Sequence, residues 1–325
     1  PPDRTGASMG IHKKQTIKPH HHETTHRNRH GRSLVGHVAR RQENRSAPAN
    51  FAYHISQFGI DSRVVSAVGR DTAGSELLEN LRDKSLKGLI EKTDFPTGSV
   101  EVEVDEKGIP CYNIREDVAW DISPSRRKRQ NWPARRKPYV SVRWPNGIRL
   151  TLHHHRFLDT IPDGDGQYKI FDINLGKFYT QEIISTSLQK CNILKINDEE
   201  LDIVTRLFDL PGTNQEARCR TLLKRYALKA LILTCGARGS FVFTPEETSY
   251  RDTPKVEVAD TVGAGDSFTA AFTAAILSGK NIHEAHRLAV DVSAYVCTQK
   301  GAMPLLPERF TKQNKTTGQK EECAA

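Results

Sequence analysis

Asp260-Thr261-Val262-Gly263-Ala264-Gly265-Asp266-Ser267-Phe268 follows a run with the alternation of a strand, Lys255-Val256-Glu257-Val258, and opens a small-residue helix, Phe268 to Leu277 (FTAAFTAAIL). Gly263, Ala264 and Gly265 carry almost no side chain, so a ligand can approach the backbone closely. At the first turn of a helix their amides lack intrahelical acceptors, and the helix dipole favours an anion there. Asp266 sets a carboxylate beside that anion site. Two negative charges held this close serve a purpose when one of them reacts. A glycine turn with an Asp near a helix start is common on its own, so the weight rests on the whole nine-residue string.

The rest of the chain bounds what the string can belong to. With 325 residues it holds one large domain or two ordinary ones. No apolar run approaches the length of a membrane span, and the N-terminus has no signal-peptide core, which leads us to expect a cytoplasmic protein. Six cysteines, Cys111, Cys191, Cys219, Cys235, Cys297 and Cys323, lie scattered without CxxC spacing, as reduced thiols do. The net charge of +9 invites a nucleic-acid reading, but it is localised. Residues 1–46 carry a net +7 and residues 122–155 a net +9, leaving −7 for everything else.

Between these basic segments the texture alternates helix and strand. Ala47-Pro48-Ala49-Asn50 leads into an amphipathic helix that Gly59 closes; Ser62 to Val68 reads as a strand, and Ser75 to Lys84 as a helix. Thr97 to Tyr112 reads as a hairpin, with Val100, Val102 and Val104 alternating with carboxylates. Lys169 to Leu175, Asn192 to Ile196, Ala230 to Thr234 and Ser240 to Phe243 are strand-like; Gln181 to Cys191, Cys219 to Tyr226 and Ile282 to Gln299 are helical. Phe157 to Thr160 reads as a helix end, and the tail after Pro307 as polar and frayed. This is the pattern of an α/β fold. No G-x-x-x-x-G-K-[ST] string occurs, which disfavours a P-loop NTPase.

The string DTVGAGDSF resembles the signature of the PfkB, or ribokinase-like, carbohydrate kinases, usually D-T-x-G-A-G-D-x-F. The resemblance implies a three-layer α/β/α sandwich with a small β-sheet lid, and transfer of a phosphoryl group from ATP to a sugar hydroxyl. It makes Asp266 the base that deprotonates the hydroxyl, and Gly263, Ala264 and Gly265 the anion hole. The family's G-x-D-x-x-G is intact as Gly69, Asp71 and Gly74, whereas Arg45 and Ser46 stand where G-G-A-x-A-N has its glycines. Asn50 is implied as a sugar contact, as is Asn174, although Gly176 replaces the arginine of the family's D-x-N-x-R. His54 reads as an ordinary helix histidine. Asn197-Asp198-Glu199-Glu200 matches the family's N-x-x-E, which holds the water network around Mg²⁺; a plain capping box accounts for the same residues. Thr234, Gly236 and Gly239 match a nucleotide loop that is otherwise an ordinary hairpin turn, Gly301 and Ala302 match the adenine turn, and Asp260 is implied as a neighbour of K⁺. Residues 97–119 match the lid, and Val118-Ala119-Trp120-Asp121 resembles bacterial fructokinases, which points to fructose. Family members often dimerise through the lid, so a homodimer is an expected partner arrangement.

The match covers roughly 47–121 and 156–307, within a kinase domain of 47–310 and ahead of a polar tail, 311–325. Residues 1–46 show no sustained period, and their clustered histidines, His20, His21, His22, His26 and His30, lack Cys or carboxylate partners. In 122–155 the family requires a helix and two core strands, and none is legible. Both segments are rich in Arg, His and Pro and break sharply against matching sequence, as sequence translated out of frame or from a decayed gene would. Two rival functions follow from them. One is a relic that keeps nucleotide binding with a ruined sugar site; the other is a nucleic-acid binder working through Arg126-Arg127-Lys128-Arg129, Arg135-Arg136-Lys137 and the interleaved Trp132 and Trp144.

Overall fold

Alternation along three apolar strands builds the core. In Ala230–Thr234, Ala230 and Ile232 face one layer of helices while Leu231 and Leu233 face another. The same split divides Ile193 from Leu194 and Ile196, and Ile170 from Phe171. The computed structural model describes residues 35–38, 42–44, 47–104, 110–115, 117–121, 140–143, 166–175 and 179–312.

In chain order the strands are β1 (Val35–Val38), β2 (Gln42–Asn44), β3 (Arg63–Gly69), β4 (Lys87–Thr93), β5 (Val100–Val104), β6 (Pro110–Ile114), β7 (Val140–Arg143), β8 (Tyr168–Asp172), β9 (Ile193–Asn197), β10 (Ala230–Thr234), β11 (Ser240–Phe243) and β12 (Thr248–Arg251). The helices are α1 (Ala47–Ser56), α2 (Thr72–Asp83), α3 (Gln181–Lys190), α4 (Asp198–Phe208), α5 (Gln215–Arg225), α6 (Ala264–Leu277), α7 (Ile282–Cys297) and α8 (Glu308–Thr311). The main sheet has six strands in the order β12-β11-β10-β9-β8-β7. Strands β7 to β10 are parallel, and β11 and β12 extend the sheet antiparallel. A parallel pair, β3-β4, and a four-stranded sheet, β2-β1-β5-β6, complete the described strands.

Helices cover both faces of the main sheet. On one side Phe51 and Ile55 of α1, Phe272 of α6, Val292 of α7 and Phe310 of α8 pack on Ile170, Ile193 and Ile232. On the other, Ile184 of α3, Leu201 of α4 and Leu222 of α5 pack on Phe171, Leu194 and Leu231. This is the expected three-layer α/β/α arrangement with a separate small sheet. His286 of α7 is fully buried and bonds Ser240 Oγ at 2.8 Å and Ser249 Oγ at 2.9 Å, pinning that helix to the β11–β12 hairpin. Burial pulls its pKa down to about 4, so it acts there as a neutral imidazole.

Several expectations need correction. The segment 1–46 was expected to be irregular, yet β1 and β2 lie within it, and β1 pairs parallel with β5 of the β5–β6 hairpin. The segment 122–155 was expected to hold no strand, yet β7 lies within it and pairs with β8 from Val140↔Tyr168 to Arg143↔Phe171. Runs of three or four residues are too short to show a period; β1 and β7 take their places by pairing with β5 and β8, further along the chain, and β2 by pairing with its neighbour β1. The strand expected at Lys255 to Val258 is absent among the described residues: Val256 and Val258 are exposed, and no sheet edge takes up the segment. β4 was not anticipated; it takes its place by pairing with β3 along Arg63↔Lys87 to Gly69↔Thr93. The chain beyond Pro307 does not fray at once, because Phe310 is buried against Tyr295. The expected helix end at 157–160, the histidine cluster, the basic runs and Gly176 lie outside the described residues.

Candidate active site

The carboxyl ends of β8, β9 and β10 bring together what the sequence holds apart. The register Thr234↔Asn197 and Asp172↔Lys195 sets the nucleotide-loop match, the N-x-x-E match and an ion pair side by side. Ligands gather at this edge in parallel α/β sheets generally. The first turn of α6 arrives at the same place.

Gly263 caps α6 with φ +80° and no side-chain cap. A methyl group on it would lie 2.7 Å from Ala302 O, so this position requires glycine on two counts. Ser267 N bonds Gly263 O at 2.8 Å and Ala264 N reaches back to Thr261 O at 3.3 Å. The amides of Gly263 and Gly265 make no hydrogen bond among the described residues. Behind Gly265 sits Lys195, whose Nζ would lie 3.3 Å from a methyl group placed on that glycine. The cradle is therefore open at the backbone, with the ammonium of an ion pair behind it, a fit for phosphate oxygens.

Asp266 is half-buried, and its Oδ2 accepts a 2.8 Å hydrogen bond from Asn50 Nδ2. Burial pushes its pKa up to about 7. The Asn50 hydrogen bond and Lys195 pull against that rise, and Asp172 adds to it. A carboxyl poised near neutrality has the property a general base needs. Asn50 is 2% exposed, and its Oδ1 is a buried acceptor with no partner among the described residues. Asn174 is exposed at the end of β8, beyond the buried Asp172.

Sequence reasoning missed Lys195 as a site residue. Its Nζ bonds both oxygens of Asp172, at 2.8 and 2.9 Å, and Thr269 of α6 donates to Asp172 Oδ2 at 3.0 Å. Burial works against the ammonium, but Asp172, Glu200 and Asp266 hold its pKa above the ordinary lysine value. The signal was available: a lysine inside Asn192-Ile193-Leu194-Lys195-Ile196 is a charge in an apolar strand, and period 2 turns it toward the α6 face with Ile193.

Asn197 and Glu200 form the capping box of α4. Asn197 Oδ1 accepts from Glu200 N at 2.8 Å, and Glu200 Oε2 from Asn197 N at 3.0 Å. Glu200 Oε1 accepts from Leu175 N at 3.0 Å. Burial pushes Glu200 up to about 7 despite those two amides and Lys195. Among the described residues no three His, Cys, Asp or Glu side chains are grouped to hold a metal ion. Such a donor set suits Mg²⁺ that keeps its waters and takes its other ligands from phosphates.

Thr234 ends β10, and the loop behind it turns through Gly236 at φ +55° and Gly239 at φ +101°. Arg238 of that loop is ion-paired with Asp198 at the start of α4. Asp260 accepts from Val262 N at 3.0 Å and from Gly301 N at 3.3 Å, tying the signature loop to the Gly301–Ala302 turn. Val118-Ala119-Trp120 is packed rather than open. Val118 and Ala119 are buried, Ala119 N bonds Pro96 O at 2.8 Å, and Trp120 fills the space beside Gly98.

Residues 166–309 match the family model of the pfkB family carbohydrate kinases. The chain is 28% identical over 276 residues, 81% of each protein, to an ATP-dependent 6-phosphofructokinase of Thermoanaerobacterium thermosaccharolyticum. It is 26% identical over 285 residues, 80% of this chain and 84% of the other, to an aminoimidazole riboside kinase of Salmonella typhimurium. Its fold is that of the fructokinase of Xylella fastidiosa solved with bound ATP, at a TM-score of 0.72 and 18% identity over 87% of this chain and 96% of that one.

Proposed function

We propose that this chain, which belongs to the pfkB family of carbohydrate kinases, phosphorylates a sugar hydroxyl at the expense of ATP, with Asp266 as the base and fructose as the sugar. The observation that carries the reading is the Asp266 carboxyl, held by Asn50 at the open start of α6 and poised near neutrality beside Lys195. The choice of fructose rests on the likeness of Val118 to Asp121 and Ala47 to Asn50 to bacterial fructokinases.

ATP with Mg²⁺ supplies the phosphoryl electrophile and neutralises its charge. Asp266 takes the hydroxyl proton on Oδ1 while Oδ2 stays with Asn50, so the sugar oxygen becomes a nucleophile as it attacks. The amides of Gly263, Ala264 and Gly265 face the negative charge on the transferred group, and Lys195 reinforces them from behind. Thr234, Gly236, Gly239, Gly301 and Ala302 line the nucleotide side. Asn197 and Glu200 would hold Mg²⁺ through its waters. Asn50, through its unpartnered Oδ1, and Asn174 orient the sugar. A K⁺ ion beside Asp260 would steady the loop that the carboxylate already ties to Gly301; replacing K⁺ with choline in the assay tests it. We place the protein in the cytoplasm, where the thiols of Cys219, Cys235 and Cys297 stay reduced, and expect a homodimer.

The test is ADP release with ATP and Mg²⁺ against fructose, fructose 6-phosphate, ribose, 2-keto-3-deoxygluconate and a riboside, beside Asp266→Asn. Turnover lost in the variant, with ADP binding kept, is expected. Wild-type turnover in Asp266→Asn removes Asp266 as the base, and a higher kcat/KM for another sugar removes fructose. A folded protein that binds ADP but turns over no sugar is the outcome the relic reading requires.

A further inference from the structure

The pitch of α1 places Asn50 and His54, four residues apart, one above the other on a single face. Both are buried, His54 completely. Asn50 reaches Asp266, while His54 Nε2 lies 2.8 Å from Ala302 O. That carbonyl lies against Gly263, since a methyl group on Gly263 would come within 2.7 Å of it. Gly301, the preceding residue, is the one tied to Asp260. One helix thus grips the base with one side chain and, with the next, the turn that supports the glycine opening α6.

The chemistry at His54 is constrained. A carbonyl only accepts, so Nε2 must carry the proton. Nδ1 is then a lone pair, and it has no partner among the described residues. Burial pulls the pKa of the ring down to about 4, consistent with a neutral imidazole. A buried nitrogen without a donor costs stability that an aliphatic residue would not incur. The side chain is therefore not explained by packing alone.

We infer that His54 is a positioning residue for phosphoryl transfer. Its Nε2–H bond to Ala302 fixes the Gly301–Ala302 turn under Gly263, and so registers the α6 amides with the Asp266 carboxyl that Asn50 holds from the same helix. It rests on the kinase reading, and it links the sugar side to the nucleotide side of the site. Displacing reacting groups by about 1 Å is enough to slow such chemistry on the order of 100-fold.

His54→Gln and His54→Met test it, because the two side chains match in length and differ in the donor. In the full chain we expect His54→Met to stay folded, to lower kcat about 100-fold and to weaken ADP binding about 10-fold by calorimetry. His54→Gln should recover both to within about threefold of wild type. Equal impairment of the two variants, or no impairment of His54→Met, overturns the assignment. Nitrogen-15 spectra of the wild-type imidazole provide a measurement that needs no variant. They should show the Nε2–H tautomer with a resonance that moves as ADP is added; an Nδ1–H tautomer, or a resonance indifferent to ADP, overturns it. If the wild type binds ADP but phosphorylates no sugar tested, the kinase reading fails while ADP affinity and the tautomer still judge His54. A wild type that binds no ADP overturns the inference, since the turn then has nothing to position.

Discussion

Replacing Lys195 with methionine tests the electrostatics of the site most directly. The side chains of Lys195 and Asp172 are 10% and 5% exposed, and their closest approach is 2.8 Å. At an effective dielectric of about 20 such a pair attracts by about 6 kcal/mol, most of it offset by the desolvation of both ions. Removing one partner leaves the other buried and uncompensated, which typically costs about 3–5 kcal/mol. After the substitution Asp172 keeps only the Thr269 hydroxyl among the partners described. Urea unfolding followed by circular dichroism should therefore show a loss of about 3–5 kcal/mol. At about 2–4 °C for each kcal/mol, the melting temperature should fall by about 6–20 °C. The double variant Asp172→Asn with Lys195→Met removes both charges and should be markedly more stable than Lys195→Met alone. An unchanged unfolding midpoint in Lys195→Met, or a double variant that loses the sum of the single losses, would refute the argument that this pair is coupled and buried.

Asp266 should make turnover rise with pH through about 7, because only its ionised form accepts the proton; a profile flat from pH 5 to 8.5 would count against it as the base. Its raised pKa also has a stability sign. The folded group binds a proton between its ordinary value of 3.8 and about 7, so its stabilising contribution is complete at low pH and lost as the pH rises through 7. Asp266→Asn should therefore melt higher than wild type at pH 8 and close to it at pH 4, the reverse of its effect on activity. Gly263→Ala should cost about 1–3 kcal/mol from the φ of +80° alone, more with the clash against Ala302, and should weaken ADP binding in calorimetry. Nucleic-acid affinity that falls steeply with salt and disappears on deleting 1–46 and 122–155 would revive the rival function; we expect no such binding.

The sequence by itself determined the α/β pattern and the open helix start, and the resemblance of its motifs implied the three layers. Strands such as Ala230–Thr234 are nearly all apolar, which is how a strand buried on both faces must read, and the glycines of 263–265 advertise a backbone left open at a helix start. Local order also announced one cap: Asn197 and Glu200 stand at box spacing and form the box. Only the tertiary structure decided the rest. β1, β2 and β7 are too short to carry a period; β1 and β7 are held by strands further along the chain, β5 and β8, and β2 by its neighbour β1. Val256 and Val258 alternate like a strand, yet among the described residues they pair with no strand and stay exposed. Lys195 became part of the site because period 2 aims it at α6, where Asp172 from the neighbouring strand neutralises it. His54, an ordinary helix residue by sequence, joined the site because the carbonyl it meets lies 248 residues away along the chain. Local propensity and spacing are written in neighbouring residues, whereas burial, charge pairing and edge pairing depend on contacts that exist only once the chain has closed on itself.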